Sequence, residues 1–263
     1  MSPLFWLIYP LTGALAGLLA GLFGLGGGLV MVPALLWIFD LQGFAPAHLM
    51  HLAVGTSLAA IVFTGTASAQ AHLRRGAVDM RLAGWLTLGI LLGAALGSVL
   101  AGRLEGETLR ALFGGFLILV ATKLALELQP GTAVTAPRPL LLLPAGGGIG
   151  ALSVLLGIGG GTLTVPLLLW LGAAMTTAVG TAAACGVPIA LAGTLGFVLI
   201  GRDAAGLPPA SLGYVYWPAV LGLVLLSIPG ARLGAVLAHR LPARRLRRLF
   251  ALVLILVGVH MLS

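Results

Sequence analysis

The chain has 263 residues, 60% of them hydrophobic and 8% charged, with a mean hydropathy of +1.15. Soluble domains carry about 25% charged residues, so this composition excludes a water-facing surface over most of the protein and indicates a polytopic membrane protein. The net charge of +8 does not mark a nucleic-acid binder, because the arginines sit in short connections between apolar runs, where membrane topology places them.

The N-terminus lacks the basic start and small-residue cleavage site of a signal peptide, so Leu4–Phe23 is read as a retained membrane segment. One span takes about 20 apolar residues. The run from Leu4 to Phe39 is too long for one helix and is expected to form two segments meeting near Gly24–Gly28. Next come His48–Ala71, Leu82–Gly102 and Leu109–Leu128, then the linker-like Gln129–Pro139 with three prolines. A second series follows: Leu140–Leu156, Gly157–Leu171, Thr176–Ile200, Tyr214–Ala238 and Leu246–Leu262.

The two series are repeats, residues 1–128 and 140–263, expected to form a single transmembrane domain. Gly24–Pro33 (GLGGGLVMVP) matches Gly157–Pro166 (GIGGGTLTVP), and Ala53-Val54-Gly55-Thr56 matches Ala178-Val179-Gly180-Thr181. LGSVLAGRL (Leu96–Leu104) matches LGAVLAHRL (Leu233–Leu241), and Leu117–Val120 (LILV) recurs as Leu254–Val257. Arginine placement orients them. In the first half Arg74, Arg75 and Arg81 precede LGSVLAGRL, whereas Arg103 and Arg110, offset by Glu105 and Glu107, follow it. In the second half the bias flips: only Arg202 precedes, and Arg240, Arg244, Arg245, Arg247 and Arg248 follow. Positive loops favour the cytoplasm, so the expected fold is an all-α bundle of two inverted-topology repeats. Inversion needs an odd number of crossings per half, which five segments satisfy; the glycine segments are short enough to cross only in part, giving eight to ten segments in all.

Glycine and proline weaken a helix by roughly 1 and 3 kcal/mol relative to alanine, so the repeated phrase predicts two breaks. Non-helical backbone at membrane depth must be covered by protein or line a wet cavity. Successive N–H groups at a Gly-rich turn form an anion-binding nest, and a helix starting there adds its positive end. Gly26, Gly27 and Gly28, with Gly159, Gly160 and Gly161, are the candidate backbone donors. Pro33 and Pro166 are placed in the first turn after each break, where proline is tolerated. Two opposed nests suit a small dianion or a monoanion with several oxygens. Close packing through small residues competes with this reading for each cluster; two matched clusters favour the paired broken helices of transporters.

Thr56, Ser57 and Thr181 could donate hydroxyls to substrate oxygens or bond their own helix backbone. His51 could donate to an anion or carry a proton, although Thr176 stands at its partner position. Cys185 reads as a packing residue, and as the single cysteine it leaves no internal disulfide or multi-Cys metal site. Pro188 is a possible kink, and Arg232 reads as snorkelling to the interface. Asp40, Asp79 and Asp203 fall at segment ends, which argues against a buried carboxylate relay. No catalytic set is present, so the protein is not expected to be an enzyme. No GxxxxGK[ST] phrase occurs, so energy comes from gradients or a partner. No metal or cofactor is expected.

The chain resembles the TauE/SafE family of sulfite exporter-like permeases. GLFGLGGGLVMVPAL (Gly21–Leu35), AVGTSLAA (Ala53–Ala60), HLRRGAVDMRLA (His72–Ala83), GIGGGTLTVPLLL (Gly157–Leu169) and AVGTAAACGVP (Ala178–Pro188) carry the resemblance, which covers essentially the whole chain. One departure is Thr181-Ala182 where the first half has Thr56-Ser57. The resemblance implies a multi-pass permease that moves sulfite or organosulfonates such as sulfoacetate across the bacterial inner membrane. With the nest reading, this gives a secondary transporter working by alternating access, with Gly26–Gly28, Gly159–Gly161, Thr56, Ser57, Thr181 and His51 at the substrate. The alternative is an anion channel or a transporter of other small organic anions. The expected partners are the anionic substrate and membrane lipid, not nucleic acid, and the architecture is compatible with a homodimer.

Overall fold

The computed structural model describes residues 5–23, 27–126, 139–238 and 243–263. Ten α-helices lie among them: α1 (Phe5–Phe23), α2 (Gly28–Leu41), α3 (Leu49–Arg74), α4 (Met80–Ala101), α5 (Gly106–Ala125), α6 (Pro139–Leu155), α7 (Gly161–Trp170), α8 (Met175–Ile200), α9 (Trp217–Ala238) and α10 (Ala243–Leu262). The five-plus-five division matches the apolar runs, with ends shifted by a few residues. The linker-like stretch lies outside the described residues except for Pro139, which opens α6. Tyr214–Tyr216 is the clearest difference from the expected segments. It belongs to a short antiparallel ribbon, β1 (Ser211–Leu212) and β2 (Val215–Tyr216), turned at Gly213.

Five stretches are long and apolar enough to cross a bilayer: Pro46–Arg74, Met80–Ala101, Gly106–Ala125, Met175–Ile200 and Trp217–Gly234. Outward-facing leucines such as Leu92, Leu199 and Leu225, each about two-thirds exposed, would be intolerable in water at this density and are what lipid requires. The chain is a multi-pass membrane protein. With 14 and 10 residues, α2 and α7 reach only about 21 and 15 Å at 1.5 Å per residue, short of a hydrocarbon core of about 30 Å.

Packing exchanges the halves. Helix α1 lies against α9 and α4 against α6, while α3 meets α8 and α5 meets α10. Glycines make the first two contacts possible. Gly89, Gly93 and Gly97 sit on the backbones of Leu143, Gly147 and Ala151, and Gly13 and Gly17 sit on Leu223 and Ser227. Residue numbers rise together in both pairs, so the helices run parallel. In α3 and α8 they run oppositely, with Gly55 beside Phe197, Leu58 beside Gly193 and Gly65 beside Val187. Helix α3 forms the centre: every residue from Met50 to Ile61 is buried.

One local expectation is corrected. Pro33 and Pro166 lie inside α2 and α7, in the second turn and not the first. The helices start at Gly28 and Gly161, later glycines of each phrase, so each proline deletes a helical N–H donor. Asp79 falls at a segment end as expected, and its carboxylate caps α4, accepting from the N–H groups of Arg81 and Leu82, each at 3.0 Å.

Candidate functional site

The second glycine phrase forms a complete break. Helix α6 closes with Gly157 in the left-handed region (φ +64°), and the Ile158 N–H donates back to the Ser153 carbonyl at 2.9 Å, a Schellman-type stop. Gly160 is left-handed as well (φ 73°, ψ −16°) and starts α7. A side chain would cost about 1–2 kcal/mol at such a position, which explains why the phrase needs glycine there. The first phrase is built differently. Gly27 starts α2 in ordinary helical geometry (φ −75°, ψ −18°). Gly26, one of the candidate donors, lies outside the described residues.

The two breaks touch. A Cβ on Gly28 would stand 2.6 Å from the Gly157 carbonyl oxygen and 2.8 Å from the Ile158 Cα. Glycine at 28 is therefore a close-approach residue. Helix α3 joins them: the Ser57 hydroxyl donates to the Gly157 carbonyl at 2.9 Å, fully buried. Helix α8 covers the other side, with Gly186 against the Gly159 carbonyl and Ile189 against Gly160. The structure thus gathers Gly28, Ser57, Gly159, Gly160 and Gly161 in one place, with Gly27 at the adjoining start of α2.

Two further side chains stand there that the sequence motifs did not single out. The hydroxyls of Ser153 on α6 and Thr164 on α7 lie 3.5 and 3.6 Å from the position a Cβ of Gly160 would take. Both residues are fully buried, and neither hydroxyl has a hydrogen-bond partner. An unpaired buried polar group costs about 1–3 kcal/mol, so a pair at one turn is not a packing convenience. Superposing the glycine phrases could have exposed them: Ser153 and Thr164 fall where the first half has Ala20 and Met31.

Thr56 and Thr181 stand elsewhere and are engaged reciprocally. The Thr56 hydroxyl on α3 accepts from the Tyr216 N–H, in the connection between α8 and α9, at 3.0 Å. The Thr181 hydroxyl on α8 accepts from the Asp79 N–H, in the connection between α3 and α4, also at 3.0 Å. The preceding glycines let those connections approach, Gly55 against the Tyr214 carbonyl and Gly180 against the Ala77 carbonyl. The repeated Ala-Val-Gly-Thr phrase is therefore a pin in which each half holds a loop of the other.

His51 is also separate. Its Nε2 lies 3.0 Å from the Ala101 carbonyl at the end of α4, its ring packs on Tyr214 at 4.9 Å, and its buried Nδ1 has no partner. The Tyr214 hydroxyl is 3.5 Å from His48 Nδ1. Burial pushes the Tyr214 phenol above its ordinary value. Cys185 is fully buried, and the Arg232 side chain is exposed on α9. Among the described residues no three His, Cys, Asp or Glu side chains cluster as a metal would require.

The fold and this arrangement can be set beside known proteins. The family described as "Sulfite exporter TauE/SafE" matches residues 9–261. A probable membrane transporter protein of Haemophilus influenzae is 38% identical over 258 residues, covering 98% of each chain. One of Xylella fastidiosa is 31% identical over 263 residues, covering 95% of this chain and 92% of its own. A third, from Methanocaldococcus jannaschii, is 28% identical over 267 residues, covering 98% and 97%.

Proposed function

The chain belongs to the Sulfite exporter TauE/SafE family, and on that premise we propose that this membrane transporter moves small sulfur-containing oxyanions, such as sulfite or organosulfonates including sulfoacetate, across the bacterial inner membrane by alternating access around its two glycine breaks. The contact between Gly28 and the Gly157–Ile158 turn carries this reading. It brings two short helix starts close together inside the bundle, where positive helix ends favour an anion. Gly26–Gly28 and Gly159–Gly161 offer the N–H groups, and Ser57 sets the Gly157 carbonyl. Thr56 and Thr181 hold the loops that position α4 and α9, and His51 stands by as a proton site. A thermal-shift screen of the purified protein with sulfite, thiosulfate, sulfoacetate, taurine and sulfate tests the substrate class. A true substrate at about 100 times Kd raises Tm by on the order of 5 °C; no shift with any of the five overturns the reading. Counterflow in liposomes then separates a transporter, which exchanges substrate, from a channel, which only conducts.

The halves are read as inverted repeats. Equivalent helices α3 and α8 are antiparallel, whereas the exchanged pairs α1 with α9 and α4 with α6 are parallel, the directions that a two-fold axis in the membrane plane requires. Ten alternating segments also put Arg74, Arg75 and Arg81 on the same side as the start of α10, the cytoplasmic side by the placement of positive charge. Arg75→Cys and Ala205→Cys lie at exposed positions, and the native Cys185 is buried. The two new cysteines are expected to react with an impermeant thiol reagent from opposite faces of the membrane; reaction from one face overturns the inversion.

A further inference from the structure

We propose that the transported anion is held by the hydroxyls of Ser153 and Thr164 at the second glycine break. This rests on the oxyanion-transport reading and sharpens it, because it adds side-chain donors at one break and so makes the two breaks unequal. Three observations carry it. First, Ser153 and Thr164 are both fully buried and both hydroxyls lack a partner, whereas buried hydroxyls are otherwise almost always bonded. Second, both flank Gly160, which starts α7: Thr164 belongs to the first turns of α7, near its positive end, and Ser153 adjoins it from the last turn of α6. Third, the same positions of the first break hold Ala20 and Met31, neither of which carries a hydroxyl, and Met31 is buried at 1% exposure. Two O–H donors side by side suit a ligand that presents several oxygens on one centre, as a sulfite or sulfonate group does.

The test uses the full chain in detergent or nanodiscs, with sulfite and sulfoacetate as probes in sodium and in choline buffers. Ser153→Ala and Thr164→Val are each expected to weaken binding about tenfold or more, as loss of a hydrogen bond to a charged group does. Thr164→Ser keeps wild-type affinity, and Met31→Leu in the first break stays within about twofold of it. Because the hydroxyls have no partner in the ligand-free protein, Ser153→Ala and Thr164→Val leave the unliganded Tm unchanged or raised. Wild-type affinity in both variants overturns the assignment while leaving the transport reading in place, and so does equal weakening by Met31→Leu. Stabilisation by sodium without an oxyanion that disappears in Ser153→Ala overturns it in favour of a cation. If the wild type itself binds neither probe, the transport reading falls and this assignment falls with it.

Discussion

Gly160→Ala is expected to abolish ligand-dependent stabilisation and to lower Tm by several degrees, while Gly27→Ala leaves both nearly unchanged. The two glycines occupy the same place in a repeated phrase, yet their backbones differ. Gly160 has φ +73°, where an L-residue costs about 1–2 kcal/mol, and its Cβ would fall on Ile189 Cδ1. Relief of the φ strain requires rotating the start of α7, which carries Thr164. Gly27 already has helical angles, and its Cβ would meet only the flexible end of Met31 at 3.0 Å. The gain in helix propensity, up to about 1 kcal/mol, offsets that small adjustment. Differential scanning fluorimetry with and without sulfite reads both quantities. Equal loss in the two variants would restore two equivalent breaks.

Gly93→Val is expected to prevent accumulation of folded protein. Its Cβ would overlap the Gly147 carbonyl of α6. That atom is backbone and cannot swing aside as a side-chain end can. The two helices must separate along a face where Gly89 and Gly97 make the same kind of contact with Leu143 and Ala151. Overpacking costs about 1–3 kcal/mol, more where nothing can yield, against a total stability of about 5–15 kcal/mol. Gly84→Val on the same helix is the control, because nothing lies within 4 Å of its Cβ position. Size-exclusion profiles of the two variants decide: a monodisperse, wild-type-like Gly93→Val would mean that α4 and α6 do not pack this closely.

Much of the fold was legible because a bilayer demands apolar runs of set length, and because Gly-Gly-Gly followed by proline interrupts such a run wherever it occurs. Helix pairing was not legible. In lipid the outward face is as apolar as the core, so periodicity does not say which side of α1 meets α9. The threonines of the Ala-Val-Gly-Thr phrase carried a signal that the sequence could not interpret: the repetition marks a pin on a distant loop, and a hydroxyl looks the same in sequence whether or not it accepts from a backbone N–H. Ser153 and Thr164 were passed over for the opposite reason. They break the repeat, and attention to what the halves share hides where they differ.

The exchanged pairing of helices also sets a timetable. Helix α1 leaves the ribosome first, but its partner α9 follows about 190 residues later, roughly 10–40 s at about 5–20 residues per second. Throughout that interval the glycine face of α1, with Gly13 and Gly17, has only lipid or the insertion machinery to cover it. The helix made earliest is the one that waits longest for its place, and the first half of the chain has no finished form until the second has been translated.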